Sequence, residues 1–484
     1  MNRYNFNRST VMYSAVTIFF VGIVILVSAC AESPSVLQQI KKSGELVIIT
    51  RNNPTTFYEG PSGATGFEYD LAKLFADYLG VHLKIKTPSK FSDILPAVTR
   101  REAHIAAAGL TITEARKKYV RFGPSYMEIK QQLVYRSGTK PPKIIDDIKD
   151  GRIEVIAESS HAERIRQLSH ETNIDWYENP DVDSEELLSL VSEKKLDFTI
   201  ADSHEISMNQ HFYPELRVAF DLSAPQQLAW AFPKGKDDSL YNEANIFFAD
   251  IKNSGMLDQL IERHYGHLQN FDYVGTRKFL RHVDQRLVKY EQTFKQAARN
   301  YDIDWRFLAS IGYQESHWNP RAISPTGVRG IMMLTRTTAA DMGIRNRIDP
   351  ANSIRGGARY FHQLKNRLSD DIREPDRTWF ALAAYNMGLG HVRDAREITG
   401  QLGGDPDKWL DVKKALPLLM QKRFHSQTRH GYARGKEALQ YVENIRSYYD
   451  ILVRLNDSKK PKSTPLTTVS IQPDDFRDML SPIL

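Results

Sequence analysis

The chain has 484 residues, enough for two or three domains, and 41% hydrophobic with 10% aromatic residues exclude a disordered polymer. One cysteine, Cys30, excludes a disulfide framework, so any core must be stable without cross-links. The net charge is +6, and residues 277–454 hold 31 Lys+Arg against 19 Asp+Glu; a basic half calls for an acidic partner, and the absence of RNP, zinc-finger and helix-turn-helix patterns speaks against nucleic acid.

At the start, Arg3 and Arg8 precede an uncharged run, VMYSAVTIFFVGIVILVSA, at residues 11–29. It is long enough to span a bilayer and also fits a secretory signal. It ends in VSAC, which resembles the bacterial lipobox, where cleavage frees a cysteine for acylation; that cysteine is Cys30. Val27 stands where leucine is commoner in such motifs. Anchor, signal and lipoprotein readings all export the rest of the chain. By resemblance to bacterial lipoproteins, Ala31 after the cysteine implies the periplasmic face of the outer membrane. Residues 1–30 are therefore read as a targeting segment.

From about residue 43 the pattern alternates. ELVIIT (45–50) is a strand, YDLAKLFADYLG (69–80) a helix stopped by glycine, VHLKIKT (81–87) a half-buried strand, and FSDILPAVTRRE (91–102) a helix opened by Ser92. HIAAAGL (104–110) is another strand. A second unit follows with RIEVIAE, a helix near HAERIRQL, then ELLSLVSEKKLDFTIAD, the return segment QLAWAFPKG and a closing helix near Tyr241–Tyr265. This rhythm predicts an α/β domain with a mainly parallel sheet.

The strings GFEYDLAKLFADYLG and ILPAVTRREAHIAAAGLTITEARKKYVRFGPSY resemble the amino-acid-type periplasmic solute-binding proteins. The likeness covers residues 43–268 and implies a two-lobed, non-catalytic regulatory domain. By that resemblance Thr111 and Arg116 hold a ligand carboxylate, with Gly109 supplying backbone. A planar guanidinium suits that task. Asp202 would hold the ligand amine, Phe57 or Tyr58 would stack on it, and Ser160 would bind from the second lobe. The ligand implied is an amino acid or a muropeptide. The alternative is a fold retained after binding was lost.

Between Phe279 and Leu455 every periodic stretch is helical, which predicts an all-α domain over residues 269–455. The remainder, 456–484, is rich in Pro, Ser, Thr and Lys and reads as a flexible tail. In SIGYQESHWN, Glu315 is the only carboxylate between Asp304 and Asp341. Capped by Asp304, a helix through Phe307, Leu308 and Ile311 places Glu315 on its inward side near the C-terminus. Burial and the helix dipole would both favour the protonated form that a general acid requires.

The ordered set ES (315–316), SPTGVRGIMML (324–334), AAYNMG (383–388) and QYVENI (440–445) resembles the goose-lysozyme-like catalytic domain of lytic transglycosylases. The resemblance spans residues 285–450. It implies an enzyme acting on peptidoglycan glycan strands, with Glu315 as the sole acid and base and a 1,6-anhydromuramoyl product. Ser316, Ser324, Met332, Tyr385, Asn386 and Tyr441 would line the substrate groove. Met333 departs from the glutamine common at that place. A hydrolytic muramidase on the same scaffold and a non-catalytic cell-wall receptor are the competing readings. No histidine, cysteine or carboxylate near His317 has metal-ligand spacing, so neither metal nor cofactor is expected. The fold class implied is an α/β two-lobed binding-protein-like domain followed by an all-α lysozyme-like domain.

Overall fold

The computed structural model describes residues 34–60, 63–172, 174–268, 272–324, 327–457 and 468–471. Cys30, the apolar run before it and most of the expected tail lie outside these residues.

The first domain opens earlier than residue 43, with the helix Val36–Ser43. Its capping box pairs Ser35 with Gln38, and Gly44 closes it in the left-handed region. Two sheets follow. The first orders its strands Thr468–Ile471, His82–Lys86, Glu45–Ile49, Ile105–Ala106, Gln226–Pro233 and Val120–Ile129. The second orders Leu216–Asp221, Gln131–Arg136, Phe198–Asp202, Ile153–Ile156 and Tyr177–Asn179. Helices pack on each sheet around separate apolar cores.

The sheets are mixed, not mainly parallel. The βαβ units expected from sequence are parallel, as in Glu45–Ile49 beside His82–Lys86 and Ile153–Ile156 beside Phe198–Asp202. Antiparallel pairs come from the segments that pass between lobes. Val120–Ile129 runs through Lys130 directly into Gln131–Arg136, and the chain returns from Leu216–Asp221 into Gln226–Pro233. With no crossover helix in these passages, the strands they feed pair antiparallel. The crossings lie side by side: Leu222 N–H donates to the Gln131 carbonyl at 2.7 Å, and Lys130 meets Asp221 at 2.7 Å.

Two further differences from the sequence reading are local. The closing helix near Tyr241–Tyr265 is two helices, Ser239–Asn253 and Met256–Tyr265, broken at Gly255 with φ 72°. The expected flexible tail contributes a strand, Thr468–Ile471, antiparallel to His82–Lys86. Its β-branched, alternating sequence TVSI suits an open sheet edge.

Residues 273–457 are helical, as expected, around one large core. Its final helix, Gly435–Asp457, packs along both Trp305–Ser316 and Asp376–Met387. The same helix faces the binding-protein-like domain. Arg446, buried, donates to Glu262 Oε1 at 3.1 Å and to the carbonyls of Glu262 and Arg263, and stacks over Trp379 at 4.2 Å. Lys413 completes the cluster, 2.6 Å from Glu262 Oε2. Asp450 meets His267 at 2.6 Å. Glu262 belongs to the first lobe, because its helix is fastened there by His264 and Asp70 at 2.7 Å. One helical repeat further on, Arg454 pairs with Glu185 of the second lobe and covers Phe212.

Candidate active site

The helix Trp305–Ser316 starts where Asp304 Oδ1 accepts the Arg306 N–H at 2.8 Å, and Tyr449 donates to the other carboxylate oxygen at 3.0 Å. Phe307, Leu308 and Ile311 are fully buried, so the turn that follows Ile311 brings Glu315 to the rim of the core. Gly312 lets the helix approach Phe294 and Met332; a Cβ there would lie 2.9 Å from the phenylalanine ring. The helix ends before Asn319-Pro320, because His317 and Trp318 both take left-handed φ, 51° and 52°. That reversal folds the Trp318 ring under the helix, where its Nε1–H donates to the Ala309 carbonyl at 2.8 Å. The end of the helix is thereby fixed from below.

Glu315 is half-buried, and loss of water raises its carboxyl to about 7, against the pull of a hydrogen bond from Tyr441. The Tyr441 hydroxyl donates to Oε1 at 2.6 Å. No cation and no second carboxylate among the described residues contributes to its acidity. Tyr385 and Tyr360, whose rings are 5.1 Å apart, complete a phenolic wall in which burial and the charge on Glu315 keep Tyr385 and Tyr441 protonated. The arrangement leaves a carboxyl that holds its proton up to about pH 7 and is orientated through one oxygen.

The other expected groove residues divide. Tyr441 and Tyr385 stand at Glu315. Tyr385 donates to the Met332 carbonyl at 3.0 Å, tying the 330–334 strip to the wall. Ser316 was expected on substrate, but it is buried and donates to the Ile331 carbonyl at 2.8 Å. Its hydroxyl holds the same strip from the other side. Met332 is likewise a correction: its side chain is fully buried against Gly312 and Gly357, and only its backbone serves the site. Gly330, at φ 93°, is needed because a Cβ would fall 2.2 Å from the Arg347 carbonyl oxygen. Ser324 accepts the Val328 N–H at 3.0 Å and shapes its loop, while Asn386 is exposed.

Sequence reading missed two features here. Tyr360 lies on Pro350–Asn366, a helix with no marked motif. Beside Glu315, Asn444 donates to Gln314 at 3.1 Å and Gln440 donates to Asn444 at 2.7 Å, a line of amides joining the two helices. The spacing of Gln440, Tyr441 and Asn444 on one helix was the available signal.

In the binding-protein-like domain, the expected ligand residues converge on a cleft that is closed. Ser160 of the second lobe donates to Thr111 of the first at 3.2 Å. Arg116 is buried, donating to the Thr111 carbonyl at 3.2 Å, with Glu163 3.7 Å away. Burial alone would raise Asp202, but His161, 2.9 Å away, holds its carboxyl below the usual range. Arg51, unmarked in the sequence, crosses the cleft to Glu205 at 2.9 Å. Two expectations fail. Phe57 belongs to the core of the first lobe and Tyr58 to the hairpin Tyr58–Gly60; the cleft aromatic is Phe91, which both Arg51 and Arg116 face within 6 Å, at 5.6 and 5.7 Å. The Gly109 N–H is taken, donating to buried Glu68 at 2.7 Å, so any backbone contact it makes to a ligand falls to its carbonyl.

Residues 292–407 match the Transglycosylase SLT domain, and residues 37–267 match the bacterial extracellular solute-binding proteins, family 3. A membrane-bound lytic murein transglycosylase F from Saccharophagus degradans is 49% identical over 449 residues, covering 92% of this chain and 90% of that one. Membrane-bound lytic murein transglycosylase F 1 from Alkalilimnicola ehrlichii is 51% identical over 428 residues, covering 88% and 87%. Among solved structures, an ancestral amino acid-binding protein is 26% identical with a TM-score of 0.43, covering 48% of this chain and 100% of that one.

Proposed function

Since the chain belongs to the membrane-bound lytic murein transglycosylase F family and is a murein-degrading lytic transglycosylase, we propose that Glu315 is its single acid and base. The observation that carries this reading is a carboxyl raised to about 7 with no charged neighbour acting on it among the described residues. Protonated Glu315 gives its proton to the glycosidic oxygen between N-acetylmuramic acid and N-acetylglucosamine. The muramoyl 2-acetamido oxygen supports the developing oxocarbenium charge, which is why a second carboxylate is dispensable. Glu315, now ionised, takes the proton of the C6 hydroxyl of the same sugar as that oxygen closes the 1,6-anhydro ring. The tethered hydroxyl outcompetes water through its effective concentration. Tyr441 occupies Oε1, so the proton transferred is the one on Oε2. Tyr385, Asn386 and Ser324 orient the sugar around the acid.

Mass spectrometry of products from purified sacculi tests this. Anhydromuramoyl ends, strongly reduced with Glu315→Gln, are expected. Reducing ends would replace the reading with a hydrolytic muramidase, and an active Glu315→Gln protein would remove Glu315 as the acid.

We also propose acylation at Cys30, holding the enzyme on the periplasmic face of the outer membrane. Loss of membrane fractionation in Cys30→Ser checks it. Among the described residues no helix is long and apolar enough to cross a membrane.

A further proposal is that an amino acid or muropeptide binds between Thr111, Arg116, Ser160 and Asp202 and regulates turnover. Arg51 Nε, Glu205 Oε2 and His161 Nδ1 are buried there without a hydrogen-bond partner in the protein, which supports a polar ligand. The helix Gly435–Asp457 supports coupling, since it holds Glu315 through Tyr441 and touches both lobes through Arg446 and Arg454. Unchanged turnover and unchanged melting temperature with amino acids and muropeptides would sink the idea.

A further inference from the structure

The helical domain has a second polar concavity. A cleft of about 260 Å³ lies between the corner Arg367–Ser369 and the helix Leu389–Gln401. Arg367, Arg393 and Arg396 line it, with Leu368, Leu389 and Val392 as its apolar floor. Arg393 and Arg396 are one turn apart on one helix face. Arg396 is partly engaged: it donates to the Pro406 carbonyl at 2.9 Å and pairs with Asp407. Arg367 and Arg393 are exposed and, among the described residues, make no side-chain hydrogen bond or ion pair with the protein. Of the acids nearby, Asp370 faces Arg377, Asp371 accepts from Ser369, Asp394 turns inward to His430, and Glu397 accepts from Gln401 at 3.5 Å. Three guanidinium groups thus line one cleft, and Asp407 pairs with one of them.

Guanidinium groups concentrated in a concavity suit a planar anion held by paired N–H donors. The volume falls below the ~300–1,000 Å³ usual for a whole small-molecule ligand. It suits a carboxylate on a short side chain, and its concavity suits a discrete group better than a flat membrane surface.

The cleft comes close to the residues around Glu315 along the chain, because Leu389 on its floor follows Tyr385 by four positions. Arg367 follows Tyr360 by two helical turns on the same face, about 10 Å along the axis. Tyr360 senses the Arg367 charge and packs on Tyr385, which in turn senses Glu315. Three extended residues of peptide span about 10 Å.

We infer that Arg367, Arg393 and Arg396 form an anionic subsite that takes a carboxylate of the peptide stem borne by the glycan. The inference rests on the murein reading of the Glu315 groove and adds the part of the substrate that is not sugar. It makes the enzyme a reader of stem charge, preferring strands that still bear acidic peptides.

The experiment compares the full chain with Arg367→Gln/Arg393→Gln on two substrates, intact sacculi and glycan strands stripped of peptide by an amidase. On sacculi the double variant should show KM raised roughly tenfold at nearly unchanged kcat, as expected for lost charge-assisted bonds to a bound group. On stripped strands the two proteins should be alike. Arg367→Lys/Arg393→Lys, which keeps the charge but not the paired donors, should recover part of the loss, which a folding defect would not allow. Equal KM values for wild type and the Gln variant on sacculi overturn the inference, as does an equal loss on both substrates. Lost binding to phosphatidylglycerol vesicles with unaltered digestion also overturns it and assigns the cleft to the membrane. Absence of anhydromuramoyl products from wild type on either substrate would instead refute the reading of Glu315, a separate failure.

Discussion

The two polar centres of this chain treat buried charge in opposite ways. Glu315 has one phenol and, among the described residues, no cation to draw its proton off, so burial raises its carboxyl to about 7. In the cleft between lobes, charged groups answer each other: Arg51 with Glu205, Arg116 with Glu163, and Asp202 with His161. An unpaired carboxyl is a proton donor. A paired set is a latch, because a ligand entering it must replace contacts the protein already makes. Chemistry and recognition therefore differ less in residue type than in whether a counter-charge is supplied.

The contrast can be broken at its strongest point first. Glu315→Gln should lower turnover on sacculi by about 10²–10⁴-fold, the range for losing a general acid, while circular dichroism shows a native fold. Glu205→Ala strands Arg51 in the closed cleft and should cost about 3–5 kcal/mol of stability in a denaturant titration. The pH profile of turnover should stay in place, and a shifted profile would mean that the two centres share their charges.

Glu315 also predicts a pH dependence of stability. Its carboxyl is raised from 4.5 to about 7 in the folded state. Below 4.5 both folded and unfolded chains hold the proton; as pH rises towards 7 the unfolded state releases it first, and folding stability falls until the loss is complete above 7. Glu315→Gln should remove this loss, so its stability relative to wild type should improve by about 3 kcal/mol between pH 4 and pH 8. The smallest effect should come from Tyr441→Phe. Without the hydroxyl that pulls the carboxyl down, the alkaline limb of the kcat/KM profile should move above its wild-type position near 7, with turnover reduced roughly tenfold.

The meeting of Glu315 and Tyr441 was legible only through resemblance, because QES and QYVENI belong to one ordered set of words. Fold class was legible directly, since periodicity distinguishes strand-and-helix alternation from continuous helix. Direction was not. Ser316 and Met332 stand within the right words, yet both point into the core, and only the left-handed turn at His317 and Trp318 and the approach at Gly312 decide that. Residues brought in from distant segments were also silent. Arg51 and Glu205 are 154 positions apart, and Tyr360 sits on a helix whose pattern records packing alone. The mixed sheets escaped for the same reason, because strand direction depends on how the chain passes between lobes.

The strand Thr468–Ile471 has a consequence for handling this protein. An open sheet edge offers unpaired N–H and C=O groups to any extended chain, including another copy of itself. Here the outer edge of His82–Lys86 is occupied by the chain's own distal segment, in register from Thr468 opposite Lys86 to Ile471 opposite Leu83. Shortening the chain at residue 457 would leave the catalytic helices whole and uncover that edge. The shortened enzyme would be expected to keep its chemistry and lose its reluctance to self-associate.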